Sequence, residues 1–280
     1  MALRAKPSWQ PARGSKLGNE PPIARPSSFD EWLQAFKEQA TFFTGLKLDV
    51  GAPRWQLADV LPVLPFVGAG VGLAAGLVFA IMRGLGPGWL AAVVAVGAAI
   101  LFTRALHEDG LADTADGLGP HGLDTDRRLE IMRDSRNGTF GVLALALSVL
   151  VKVACLASFS GATGLVVLMA AHALSRAVLA YPLLAYAPVH DDGLGAQVGK
   201  PTDNDVWLTV AIGAALAFLL LLGKGFFVAI IAPAAAIAAA WFASRWIAQR
   251  LGGYTGDTLG AVQQKAEIAF LVVAALLLHH

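Results

Sequence analysis

Six side chains able to donate, accept or ligate crowd one short stretch: His107-Glu108-Asp109-Gly110-Leu111-Ala112-Asp113-Thr114-Ala115-Asp116-Gly117. Eight of the 20 acidic residues lie between Glu108 and Asp134. At roughly 100° per residue, a helix through this stretch holds Asp109, Asp113 and Asp116 within about a 60° wedge. Carboxylates on one face repel strongly where the dielectric is low, and are tolerated when divalent cations or cationic ligands sit between them. Hard oxygen donors suit Mg²⁺, which binds a few carboxylates together with substrate phosphates. Gly110 and Gly117 weaken a helix and are expected to serve close backbone approach or a break. A charge run alone reads as a solvated loop. The i, i+4, i+7 spacing, the position at the end of an apolar span and the flanking glycines together point to a metal site.

A second polar stretch follows, Met132-Arg133-Asp134-Ser135-Arg136-Asn137-Gly138-Thr139-Phe140-Gly141. If helical, Arg133 and Arg136 stand side by side, and their guanidinium forks match phosphate oxygens, with Ser135 as a further donor. Composition alone would make these arginines interfacial anchors, the role left to Arg127 and Arg128. Thr139 is expected to cap the span that follows. Arg176, in mid-span with His172 one turn before it, is a functional candidate because an unpaired intramembrane arginine is expensive. It either reaches the acidic centre or has a structural partner. Gly193-Leu194-Gly195 followed by Gly199-Lys200 makes either a flexible phosphate-facing segment or a plain connecting loop. Gly252-Gly253-Tyr254-Thr255-Gly256-Asp257-Thr258-Leu259-Gly260-Ala261 is too glycine-rich for a favourable helix interior and offers Asp257 as a fifth acidic group.

The elements that must hold these residues are membrane spans. Of 280 residues, 56% are hydrophobic and 15% charged, against about 25% charged in soluble domains. Mean hydropathy is +0.61. After Pro62, apolar runs long enough to cross a bilayer fall near 62–82, 88–106, 139–159, 164–187, 206–222, 225–247 and 262–278. The fold class is therefore an all-α polytopic bundle of about seven transmembrane helices, whose recurrent Gly and Ala allow close packing. Residues 1–27, proline-rich and basic, read as a disordered tail. Residues 28–48 read as an amphipathic interfacial helix opened by the capping box Ser28-Phe29-Asp30-Glu31, and residues 49–280 as one transmembrane catalytic domain. With the N-terminus in the cytoplasm, sixteen of the 21 Lys and Arg residues fall on the cytoplasmic side, with only Arg83 and Lys224 opposite. Every polar stretch above then faces the cytoplasm, where nucleotides are. A net charge of +1 gives no hint of a nucleic-acid partner, and the single cysteine, Cys155, excludes an internal disulfide. No Cys/His cluster has zinc spacing, so any metal must be held by oxygen.

His107 to Gly117, Met132 to Gly141 and Thr255 to Ala261, in that order, closely resemble the membrane-embedded cobalamin synthase family, the adenosylcobinamide-GDP ribazoletransferases. The resemblance runs from about residue 29 to the C-terminus. It implies a Mg²⁺-dependent enzyme of the bacterial inner membrane that transfers adenosylcobinamide phosphate from adenosylcobinamide-GDP to α-ribazole or its 5′-phosphate, releasing GMP. The expected metal ligands are Asp109, Asp113 and Asp116, with Glu108 or Asp257 contributing. Asp109, Asp113 and Asp116 are also the expected catalytic residues, and one carboxylate, with Asp116 as candidate, takes the attacking hydroxyl's proton. Arg133, Ser135, Arg136, Arg176 and Lys200 are expected to bind substrate. Partners beyond substrates and bilayer would be a homo-oligomer or other cobalamin-assembly enzymes.

The chain departs from the family in three places. Leucine is frequent where Glu108 stands, glutamate where Gln264 stands, and arginine where Gly45 stands in Thr41-Phe42-Phe43-Thr44-Gly45. Asp109-Gly110-Leu111-Ala112-Asp113 is also similar to the start of the CDP-alcohol phosphotransferase signature, whose remaining spacing is absent. That lipid-synthesis activity is one rival reading. A cation transporter is the other, because intramembrane carboxylates and Arg176 can mark ion pathways.

Overall fold

A computed structural model describes residues 25–190 and 198–278. The basic tail up to residue 24, the Gly193-Leu194-Gly195 segment, His279 and His280 lie outside the described residues. Within them the chain is all-helical, and the one β-like feature is an isolated bridge between Pro188 and Tyr254.

Helix α1 (Phe29–Phe43) starts as its sequence dictates. The Ser28 side chain accepts from the Glu31 N–H, and the Glu31 carboxylate accepts from the Ser28 N–H. Its inward face buries Ala35, Ala40 and Phe43 against a short 3-10 turn (Leu57–Val63) and α2, while Phe29 and Phe42 stay exposed. The return segment is tied back where Gln34 donates to the Val50 carbonyl and Glu38 accepts from the Arg54 N–H.

Helix α2 (Leu64–Leu85) packs on α7 (Gly161–Ala177). Gly68, Gly72 and Gly76 repeat every four residues, and a Cβ on any of them would strike the backbone of His172, Leu168 or Leu165. This is the close approach that small residues permit between membrane helices, where dispersion rather than the hydrophobic effect drives association. The other long helices are α6 (Thr139–Ala157), α9 (Asp203–Leu222), α10 (Phe226–Leu251) and α11 (Gly256–Leu278). The short α8 (Ala180–Ala185) continues the line of α7. Among the described residues six helical segments are long and apolar enough to cross a membrane. Their outward faces carry large apolar side chains such as Leu77, Ile81, Leu147, Leu150, Leu219 and Phe242, as expected when lipid is the solvent.

The seventh expected span behaves differently. Helix α3 (Gly88–Phe102) stops after 15 residues, and α4 (Leu106–Leu118) leaves it at 90°. Arg104 and Ala105 sit in the left-handed region at φ 56° and 57°, a conformation costing about 1–2 kcal/mol per non-glycine residue. The corner is held by the Ala105 N–H donating to the Ile100 carbonyl and the Gly45 N–H donating to the Phe102 carbonyl. Thus the acidic stretch is not a continuation of the second span but a separate helix turned aside from it. It packs against α11, α6 and the small α5 (Thr125–Met132).

Candidate active site

Two glycines let α4 and α11 cross closely. A Cβ on Gly110 would lie 2.5 Å from the Asp257 carbonyl oxygen, and one on Gly260 would lie 3.2 Å from His107 Cα. The glycine-rich stretch from Gly252 to Ala261, expected to be a poor helix, opens α11 with Asp257 in its first turn. Thr255 and Thr258 exchange reciprocal backbone-to-hydroxyl hydrogen bonds of 2.8 and 3.2 Å there, which satisfies donors left free at a helix start. This crossing brings Asp257 beside the acidic face of α4.

Asp109 and Asp257 both border a cavity of about 530 Å³ between α1, the 3-10 turn, α4, α5, α8 and the start of α11. Asp113 stands one turn from Asp109, outside the six long spans. Its carboxyl is pushed up to about 7 by partial burial and by the negative charges of Asp109, Asp257 and Asp116. Among the described residues no Lys, Arg or His forms an ion pair with Asp109, Asp113 or Asp257. Nor do any three His, Cys, Asp or Glu side chains there form a ready-made metal cage.

Asp116 has other partners. Its two oxygens accept the Gly138 N–H at 2.7 Å and the Gly141 N–H at 2.8 Å, so it caps the N-terminus of α6 from a different helix. The expected cap, Thr139, is instead the first helical residue, after Gly138. Both glycines lie so close to the Asp116 carboxylate that neither has room for a Cβ.

Glu108 points into a second, narrow polar space among α3, α4, α6, α7 and α11. Gln264 donates to it at 2.9 Å, and the Lys152 ammonium lies 3.5 Å away. The departures from the family at 108 and 264 are therefore in direct contact. Lys152 also pairs with Glu267 at 2.8 Å, and Gln263 donates to Glu267 at 2.7 Å. Arg176, fully buried, donates to His172 Nδ1 at 2.9 Å and to the His172 carbonyl at 3.3 Å, within the field of Glu267 and Glu108. Arg176 thus lines the narrow space and not the cavity. Two carboxylates and two cations balance there. Lys152 and Glu267 were legible as intramembrane ionisable residues, but which charge met which was not.

The expected phosphate-binding set also divides. α5 ends at Met132, so Arg133 and Arg136 do not share a helix face. Arg133 borders the cavity. Arg136 is exposed and holds Asp134 at 2.7 Å, which draws the Asp134 carboxyl down to about 2. Ser135 and Lys200 are exposed and do not border the cavity. Arg128 donates to the carbonyls of Gly117, Pro120 and Leu123, bracing the turn between α4 and α5 rather than only anchoring an interface. Gly45 lies against the stem of Arg104. Aromatic and imidazole side chains also form part of the cavity wall. Phe43 stacks on His107 with ring centroids 5.9 Å apart and an 8° interplanar angle, and His190 and Tyr254 also face the space.

Fold and site together define a polytopic helical membrane protein with carboxylates bordering a largely apolar cavity. Residues 35–275 match the model of the Cobalamin-5-phosphate synthase family, and the chain belongs to that family. It is 44% identical over 220 residues to the adenosylcobinamide-GDP ribazoletransferase of Allorhizobium ampelinum, covering 76% of this chain and 84% of that protein. It is 43% identical to the protein of the same name from Bradyrhizobium diazoefficiens (84% and 91% covered). Identity to the Shewanella amazonensis protein of that name is 38%, covering 90% of this chain and 98% of that one. No solved structure matches the chain.

Proposed function

We propose that this chain carries out the last joining step of cobalamin synthesis: it transfers adenosylcobinamide phosphate from adenosylcobinamide-GDP to α-ribazole or its 5′-phosphate, with release of GMP. The observation that carries this reading is the family match over residues 35–275 together with the meeting of two separate motifs, through Asp109 and Asp257, at one cavity. In the reaction the ribose 3′-hydroxyl oxygen of the acceptor bonds to the corrinoid-side phosphorus. The bond from that phosphorus to the bridging oxygen breaks, and GMP leaves with the electron pair.

The donor set suits Mg²⁺ that arrives with a pyrophosphate. Such sites use one or two protein carboxylates and complete the shell with phosphate oxygens and water, so a three-ligand cage is not required. Asp109 and Asp257 would hold the ion, with Asp113 one turn away. When bound it would neutralise pyrophosphate charge as the bond to GMP breaks. Arg133 supplies a guanidinium fork for a phosphate oxygen at the cavity edge. The hydroxyl's proton passes to one of the three unpaired carboxylates. Asp116 is better read as a positioning residue, because both its oxygens already hold backbone N–H groups.

The excess of Lys and Arg on one side supports a cytoplasmic active site in the bacterial inner membrane. Purified protein given adenosylcobinamide-GDP, α-ribazole and Mg²⁺ is expected to release GMP. Absence of GMP, with CMP released from a CDP-alcohol and an acceptor, would establish the phospholipid-type transferase instead.

A further inference from the structure

The cavity has a chemistry of its own that selects among the parts of the two substrates. Its inner wall is aliphatic and aromatic: Phe43, Leu57, Leu106, Leu179, Leu183 and Leu259. Asp109, Asp257 and Arg133 border the same cavity, together with Thr255, His190 and Tyr254. His107, 3% exposed, borders both this cavity and the narrow space that holds Glu108 and Arg176.

Resting on the function proposed above, we infer that this cavity holds the dimethylbenzimidazole base of α-ribazole, with the ribose toward Asp109 and Asp257. The other candidates fit less well. A corrin ring with its fringe of amides is larger than the space and would leave many amides without partners against aliphatic walls. Guanine presents N–H donors along one edge that call for a carboxylate, and the carboxylates bordering the cavity are those at the reacting end. The dimethylbenzimidazole has an apolar body, two methyl groups and a single free acceptor. A pocket that is mostly apolar with a few placed polar groups matches that inventory. In this placement the methyl groups face Leu57 and Leu259, and the donor's bulk remains outside the bundle.

The test is steady-state kinetics of the full-length protein in liposomes, with α-ribazole and with its analogue lacking both methyl groups. In the wild type, loss of the methyls is expected to raise the acceptor KM severalfold, and an unchanged KM would overturn the assignment. Leu259→Trp fills the cavity from a half-buried position. It should raise KM for α-ribazole about tenfold or more, leave KM for adenosylcobinamide-GDP nearly unchanged, and favour the smaller analogue. Leu57→Trp, from a separate element, should do the same. A rise in the donor's KM, or an equal rise for both acceptors, would overturn the assignment. Wild-type protein that releases no GMP would instead overturn the functional reading on which it rests.

Discussion

Asp109, Asp113 and Asp257, unlike Asp205 and Glu267, have no cationic partner among the described residues. Asp205 is held by the Arg25 guanidinium at 2.6 and 2.7 Å, and Glu267 by Lys152. Unpaired carboxylates facing one another are unfavourable unless something positive arrives, which is the property a cation-assisted phosphoryl site needs. Replacing any one of the three by asparagine should lower kcat by about 10²–10⁴-fold, read as GMP release, while the protein still folds into the membrane. Asp113→Asn with wild-type turnover would remove Asp113 from the mechanism. Asp116→Ala should act differently. It leaves the Gly138 and Gly141 N–H groups unpaired at about 1–3 kcal/mol each, so thermal stability in detergent should fall together with activity. The two arginines separate likewise: Arg133→Ala should raise KM for the GDP-bearing donor, and Arg136→Ala, at the exposed ion pair with Asp134, should leave it unchanged.

Among elements, the α4–α11 crossing matters most, because it alone joins motifs almost 150 residues apart. Its contact surface is backbone at Gly110 and Gly260, so no side chain can cushion an added group. Gly110→Ala should drive α4 from α11, with a stability loss of about 1–3 kcal/mol and a larger proportional loss of turnover, since Asp109 moves relative to Asp257. Beneath that crossing lies the balanced set of Glu108, Lys152, Glu267 and Arg176. Lys152→Met strands two buried carboxylates and should cost about 3–5 kcal/mol, measured by denaturation in detergent. Adding Glu267→Gln should return part of that loss, because one carboxylate then faces one guanidinium. If Lys152→Met unfolds no more readily than wild type, the buried charges are not coupled as their distances indicate.

For the whole molecule, the proposed topology sets Ser135 and Lys224 on opposite sides of the membrane. Ser135→Cys should react with a membrane-impermeant maleimide from the cytoplasmic side, and Lys224→Cys only from the other. Labelling of both from one side would overturn the topology and, with it, the cytoplasmic placement of the site. Short α3, only 15 residues long, is the element on which this alternation depends. The 90° turn after it allows α4 to leave the direction of the spans and lie across the ends of α6 and α11.

Local physics, written in the sequence, already determined much of this. Apolar run length marked the six long helices and the start of the bent seventh, because a bilayer fixes how many residues a span needs. The Ser28 capping box and the four-residue glycine repeat in α2 had the roles their chemistry predicts. Helical phase also kept Asp109 and Asp113 on one face of α4 despite the break before it. Tertiary structure decided what each polar atom meets. Asp116 shares that phase yet serves α6, since nothing local says that Gly138 and Gly141 will arrive with unpaired N–H groups. Glu108, adjacent to Asp109, faces Lys152 and Gln264 because consecutive helix residues point about 100° apart and a different helix stands on each side. The left-handed corner at Arg104 and Ala105, which no glycine or proline announces, sets that arrangement. It exists because packing of α4 against α11 and α6 outweighs a backbone strain that the sequence alone gives no reason to accept.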